Sequence, residues 1–273
     1  MVNMGNVWDR TAEFLSDNSR ALLPIVLVAM LVPNAVNALV GSAGPAINAT
    51  VGQVIALVCA LVALWGQLAV IALALDPDGG RPRAISTATR SFGPAVVAML
   101  ILLVIVVVLA LPVVGVLIAN GVDLSALGAG VSARANLTSA AAVFVPLYSL
   151  VLGAVILFVA IRLALLNPVI VAEGGVVPAI RRAWALSRGI VWKMIGVWLL
   201  FVIVYFVAAV AITSGIGTVI GLLIDMSSAF SVGRIVVAIL SGVVTTMFTL
   251  IVAAFSAKLY RAAIAAREGV ATA

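Results

Sequence analysis

The chain has 273 residues, 65% of them hydrophobic and 9% charged, with a net charge of +6 and no histidine. Its mean hydropathy of +1.36 excludes an ordinary water-soluble fold, which would lack the polar residues to cover its surface, so the natural solvent is a bilayer. The single cysteine, Cys59, excludes an intrachain disulfide, and the basic excess does not indicate nucleic acid, because no polar domain exists to present it.

The opening MVNMGNVWDRTAEFLSDNSR carries three acids, which suits a secretory signal poorly. Trp8, Ala12 and Leu15 fall at helical spacing instead, and predict an amphipathic helix lying in the membrane interface. Crossing about 30 Å of hydrocarbon takes about 20 apolar residues. Stretches near residues 21–40, 51–75, 94–119, 140–166, 190–212 and 233–257 qualify. Their apolarity is continuous rather than alternating, which selects helices over a barrel. Pro33, Asn34 and Asn37 predict a kink or an early end in the first span, read as an uncleaved anchor. Asn167 and Pro168 predict the end of the fourth. Residues 213–224 stay apolar, leaving open whether they extend the fifth span or lie on the outer surface.

Between the second and third spans stands GGRPRAISTATR, and 95 positions later GGVVPAIRRAWA repeats its GGxxxAI spacing between the fourth and fifth. The pairs Gly79–Gly80 and Gly174–Gly175 let the chain turn back sharply. Each precedes a short amphipathic stretch, with Ile85, Ala88 and Phe92 apolar in the first and Ile180, Ala183 and Trp184 in the second. The fold expected is therefore all-α: a polytopic membrane protein of six transmembrane helices in three parallel helix-hairpin repeats, each preceded by a short amphipathic interfacial helix. The whole chain, 1–273, reads as one integral membrane domain, with units near 1–78, 79–173 and 174–268.

Sidedness follows from the basic residues. One face collects 13 of the 15 Lys and Arg, and only Arg134 and Arg234 lie on the other. Positive loops stay inside, so both termini are expected in the cytoplasm and the basic joints against anionic lipid headgroups.

Few residues carry a chemical signal. Asp76 and Asp78 could offer oxygens to a hard cation, but the further ligands of a calcium loop are missing and a tight Asp-Pro turn balanced by Arg81 and Arg83 is the better reading. Neither a metal nor a cofactor is expected. Arg162 lies inside the cytoplasmic end of the fourth span and needs a partner. Two readings stay open: an ion pair with Glu173 that locks the span to the GG turn at Pro168, Gly174 and Gly175, or a headgroup site shared by Arg162, Glu173, Arg181, Arg182 and Arg188. Gln53, Gln67, Thr245 and Thr246 read as interhelical hydrogen-bonding groups, Gly217 and Gly221 as a GxxxG close approach, and Trp184 and Trp192 as an aromatic belt, with Trp198 nearby.

The stretch RLALLNPVIVAEGGVVPAIRRAWALSRGIVWKMIGV, from Arg162 to Val197, resembles the membrane domain found ahead of the catalytic domain in some bacterial glycerophosphoryl diester phosphodiesterases. The positions that carry the resemblance are Arg162, Pro168, Glu173, Ala179, Ile180, Arg182, Trp184, Leu186, Arg188, Gly189 and Trp192, while Ala183 replaces an expected serine. The resemblance implies a stand-alone module of the bacterial inner membrane and no phosphodiesterase activity, since a catalytic barrel needs about 250 residues of its own. Membrane lipids are the expected partners, with a protein partner or a second copy as further candidates and no nucleic acid. A non-catalytic, lipid-associated or partner-organising role is expected first, a small-solute or lipid transporter second, and a membrane-embedded phospholipid-headgroup enzyme last, for want of histidine.

Overall fold

A computed structural model describes residues 3–122, 138–223, 228 and 230–269. All regular structure among the described residues is helical. Six helices there are long and apolar enough to cross a membrane: Ser19–Ala43, Ala49–Leu75, Gly80–Ala119, Ser139–Glu173, Val191–Leu223 and Val232–Arg267. They fall on the six predicted runs. Hydrocarbon offers the backbone no hydrogen-bond partner, so an uninterrupted apolar run satisfies its own N–H and C=O groups by coiling.

In chain order, helix α1 (Met4–Asp17) starts at Asn3, whose side chain accepts a 3.0 Å hydrogen bond from Gly5 N. It buries Val7, Thr11 and Phe14. The predicted stripe of Trp8, Ala12 and Leu15 occupies the neighbouring face, with Trp8 47% exposed. The first span comprises α2 (Ser19–Val26), a π-helical turn (Leu27–Leu31) and α3 (Val32–Ala43). The predicted disturbance at Pro33 is therefore a widened turn rather than an end. A proline ring crowds the carbonyl four residues back, here Ala29, and a π turn relieves that contact while the helix continues. Helix α4 (Ala49–Leu75) is capped by Asn48, which accepts from Thr50 N. There follow α5 (Gly80–Ala119), α6 (Ser139–Arg162), α7 (Leu166–Glu173), α8 (Val177–Leu186) and α9 (Val191–Val210). A second π turn (Ala211–Ile216), α10 (Gly217–Leu223) and α11 (Val232–Glu268) complete the chain. The apolar tract after the fifth span thus extends it.

Two expectations are corrected. Asn167 and Pro168 do not end the fourth span: the chain turns at residues 163–165 and both fall in the first turn of α7. A proline costs little there, because the first N–H groups of a helix have no intrahelical partner. The first joint also lacks a separate interfacial helix. Helix α5 runs unbroken for 40 residues, about 60 Å at 1.5 Å per residue, whereas α8 is a distinct element. The 95-residue offset sets Pro94 against Gly189. Gly189 takes φ +89° and breaks the helix. Proline, fixed near φ −65°, cannot make that turn and stays in the helix.

The described chain divides into two compact units, Met1–Val96 with Leu163–Ala273, and Val97–Arg162. In the smaller unit, Tyr148 donates its hydroxyl to Leu109 O at 2.9 Å, and Thr138 N donates to Asn120 Oδ1 at 3.0 Å. Arg134 lies outside the described residues. In the larger unit α11 packs along α1, α3, α4 and α9, while α7 rests on α4. Leu68 to Ala74 of α4 are buried on every side, together with Leu165, Val169, Ile170 and Leu259. Lipid supplies no hydrophobic drive between helices, so close approach of small residues carries much of the packing. A Cβ at Gly242 would stand 2.8 Å from the Ala35 backbone, and one at Gly66 would stand 2.9 Å from Ala29. The GxxxG reading is corrected accordingly: Gly217 packs toward Val237, but Gly221 is exposed.

Candidate functional site

The polar side chains of the larger unit gather at two levels. Lys258 and Arg234 mark them on α11, 24 residues and about 36 Å apart along the helix axis. That separation is close to the thickness of a bilayer's hydrocarbon core.

At the level of α1 and the last turns of α11, the turn after α4 is built by Asp76, whose Oδ1 accepts from Gly79 N at 3.2 Å and whose Oδ2 pairs with Arg83 at 3.1 Å. The glycine pair serves two needs. Gly80 takes φ +65°, and a Cβ on Gly79 would meet Asp76 Oδ2 at 2.7 Å. At the second joint Gly174 and Gly175 both take positive φ, 73° and 71°. They bring α8 back beneath α7, so that Glu173 Oε1 accepts from Arg182 Nε at 3.2 Å and from the Tyr260 hydroxyl at 2.9 Å. The predicted cluster is therefore assembled in part. Glu173 and Arg182 meet, Arg181 and Arg188 are exposed, and Arg162 is the last residue of the smaller unit, its guanidinium 5.4 Å over the Phe158 ring.

The C-terminal part of α11 contributes groups that the sequence reading did not single out. Lys258 Nζ donates to Ala74 O at 3.1 Å and lies 4.7 Å over the Phe14 ring, and Arg261 donates to Leu75 O. Arg267 donates to Ala185 O. All three accepting carbonyls are in the last turn of α4 or α8, where carbonyls lack intrahelical donors and the helix dipole favours a cation. The signal was present as the periodic basic run KLYRAAIAAR at 258–267. A cleft of about 460 Å³ beside it carries matched charges, Arg10, Lys258 and Arg261 against Glu13, Asp17 and Asp78. Further out, Arg20, Arg81 and Arg90 are exposed, and Trp192 is 85% exposed.

Between the two levels the uncharged polar groups pair across helices. Gln67 accepts from Asn167 at 3.3 Å, Thr246 accepts from Asn34 at 3.0 Å, and Thr245 lies 3.4 Å from the Tyr205 hydroxyl. Gln53 is exposed near the start of α4. Aromatic rings join α1, α9 and α11, with Phe201 6.1 Å from Trp8, 6.5 Å from Trp198 and 5.7 Å from Phe255. At the far level, Arg234 in the first turn of α11 donates to Ser42 O, at the rim of a second cleft of about 590 Å³.

No family model, curated protein or solved structure matches the chain. Its fold and its polar groups define a class: a multi-pass integral membrane protein with a cationic margin at one level and paired polar groups within.

Proposed function

We propose that the chain is a non-catalytic module of the bacterial inner membrane that gathers anionic lipid at its cytoplasmic face, related to the membrane domain of glycerophosphoryl diester phosphodiesterases. The observation that carries this reading is the set of exposed arginines, with Arg20 and Arg81 at the starts of helices apolar enough to span a bilayer, Arg90 in the first turns of the second of these, and Arg181 and Arg188 on and just after α8, in the joint that precedes the fifth span. Among the described residues, helix-end carbonyls accept instead from Lys258, Arg261 and Arg267. A cation near an anionic surface contributes about 1 kcal/mol, roughly a five-fold preference per residue. Asn34, Gln67, Asn167 and Thr246 of the spans are engaged between helices, which favours this reading over a hydrated transport path.

Native mass spectrometry of the full chain released from phosphatidylcholine nanodiscs containing phosphatidylglycerol tests it. Phosphatidylglycerol is expected to be enriched over its share of the bilayer, with the enrichment falling at high salt and on replacing the five arginines by glutamine. Lipid in bulk proportion would overturn the reading. Reporters at Ala43 and Gly80 are expected in opposite compartments, and finding both in one would remove the sidedness on which it depends.

A further inference from the structure

The second cleft, of about 590 Å³, lies between α3, α9 with its π turn, and α11. That volume falls in the range of small-molecule sites, which combine apolar walls with a few placed polar groups. At the rim Arg234 is engaged with Ser42 O. Below it the cleft follows one face of α11 through Val237, Ser241 and Val244 to Thr245, and it is lined on α9 by Tyr205 and Ala209. At 1.5 Å per residue, Ser241 lies about 10 Å and Thr245 about 16 Å from Arg234 along the helix axis. Half of a hydrocarbon core is about 15 Å, so the cleft reaches from one surface of the core to near its midplane.

Two hydroxyl protons at these depths have no acceptor. Ser241 lines the cleft, and its hydroxyl makes no hydrogen bond among the described residues. Tyr205 and Thr245, 3.4 Å apart at the inner end, share a single hydrogen bond. Each hydroxyl brings one proton, so a pair joined by one bond uses one proton and leaves the other. Neither of the two has a further acceptor among the described residues. The other hydroxyls of the cleft are satisfied locally, Ser42 by Leu39 O and Thr213 by Ala209 O. Water would take up a spare donor elsewhere, but the core of a bilayer holds none, and an unpaired hydroxyl is costly in such a medium.

The geometry points to this cleft as a binding site for an uncharged, lipid-soluble carbonyl compound. Its oxygens accept from Ser241 and from the Tyr205–Thr245 pair, one helical turn or about 6 Å apart, and its apolar remainder lies against Val237, Val244 and Ala209. The absence of charge follows from depth, because an ion near the midplane is expensive. A phospholipid keeps its headgroup, and the ester carbonyls beside it, in the interfacial region outside the hydrocarbon. Its acceptors therefore stop short of Ser241, whereas a molecule without a charged headgroup sinks to that depth. An alkyl quinone and a diacylglycerol share this chemistry. The site draws nothing from the charge of Arg234 and is independent of the arginine margin in the proposed function.

The test is equilibrium dialysis of two radiolabelled probes, decylubiquinone and dioctanoylglycerol, against the purified full chain in phosphatidylcholine nanodiscs and against empty nanodiscs. Saturable binding above the empty nanodiscs is expected for at least one probe, and the tighter one identifies the source of the carbonyl. S241A, and the paired change Y205F with T245V, are each expected to weaken binding about three-fold, the effect of one hydrogen bond within a membrane. A209F places a ring in the cleft and is expected to abolish binding. S86A removes a hydroxyl from the start of α5, outside the cleft, and is expected to bind as the wild type does. Binding of neither probe would overturn the proposal, as would equal saturable binding of hexadecane, which has no acceptor, or unchanged affinity in both hydroxyl variants. If A209F fails to fold, the hydroxyl variants decide.

Discussion

The crossing of α3 and α11 gives the sharpest quantitative prediction, because glycine stands there with backbone directly opposite. A Cβ added at Gly242 would lie 2.8 Å from both Cα and N of Ala35, whereas ordinary contact begins at 3.4 Å. The helices must therefore separate by at least 0.6 Å, since no flexible side chain can give way. One turn further along the same crossing, Asn34 Nδ2 reaches Thr246 Oγ1 at 3.0 Å. A shift of that size takes the pair to about 3.6 Å, beyond hydrogen-bond reach. Overpacking costs about 1–3 kcal/mol and a lost interhelical hydrogen bond about 0.6 kcal/mol. The better helix propensity of alanine returns up to about 1 kcal/mol. G242A is thus expected to lose about 1–3 kcal/mol net. Cys59, the only cysteine, lies within the second span, so a thiol-reactive fluorogenic dye reports unfolding in mild detergent without a second label. A fall in Tm of roughly 2 °C or more is expected. The control is Gly196, also in a helix but with nothing within 4 Å of an added Cβ; G196A is expected to be neutral or stabilised. Equal behaviour of the two variants would refute the argument that close backbone approach holds this crossing.

The same dye assay reads three further outcomes. Y260F removes a 2.9 Å bond to Glu173 and is expected to lose about 1 kcal/mol, more than R182Q, whose ion pair is 44% and 37% exposed and therefore worth little; the reverse order would show that the joint is held by charge. G80A and G174A place a β-carbon at positive φ and are expected to lose about 1–3 kcal/mol each, with no loss from either meaning that the joints bend elsewhere. K258M keeps the length of the side chain but removes the donor to Ala74 O, and a loss of about 1–2 kcal/mol is expected; an unchanged Tm would mean that water caps α4 equally well.

The spans were legible because lipid reduces the problem to one variable: a run of about 20 apolar residues can only be a helix. The second joint was legible for a different reason. Gly174 and Gly175 both take positive φ, and the charged positions around them are close in sequence; the sequence reading pairs Glu173 with Arg162 or places it in a headgroup site with the arginines, and in the structure it meets Arg182, nine residues further on. Tyr260 reaches the same carboxylate from 87 residues away, and no local pattern announces that. The helix crossings were hidden for a related reason. Among 23 glycines, only those facing another backbone matter. Gly66 and Gly242 acquire that role from partners on the first span, while the regular spacing of Gly217 and Gly221 does not predict a paired contact. The far cleft escaped notice because Arg234 entered only as an exception to a charge count, and its neighbours Ser42, Tyr205 and Thr213 belong to three different elements.

Counting charges by side treats every cation as a membrane anchor, and α11 shows why that is incomplete. Lys258, Arg261 and Arg267 lie at successive heights near its end, and each reaches a terminal carbonyl of α4 or α8. A helix that ends at the membrane surface leaves carbonyls that lipid cannot satisfy and water reaches only in part. A long basic side chain from a neighbouring helix can supply the donor while its alkyl stem stays against apolar surface. Cations that a charge count assigns only to one side thus also join helices to one another at their ends. Arg234 makes the corresponding contact with Ser42 O near the end of α3, at the opposite level. It stands at the start of its own helix rather than the end, where its charge opposes the dipole instead of matching it. The two ends of α11 thus place cations differently: one set contacts the ends of neighbouring helices along its own helix dipole, and Arg234 contacts α3 against it.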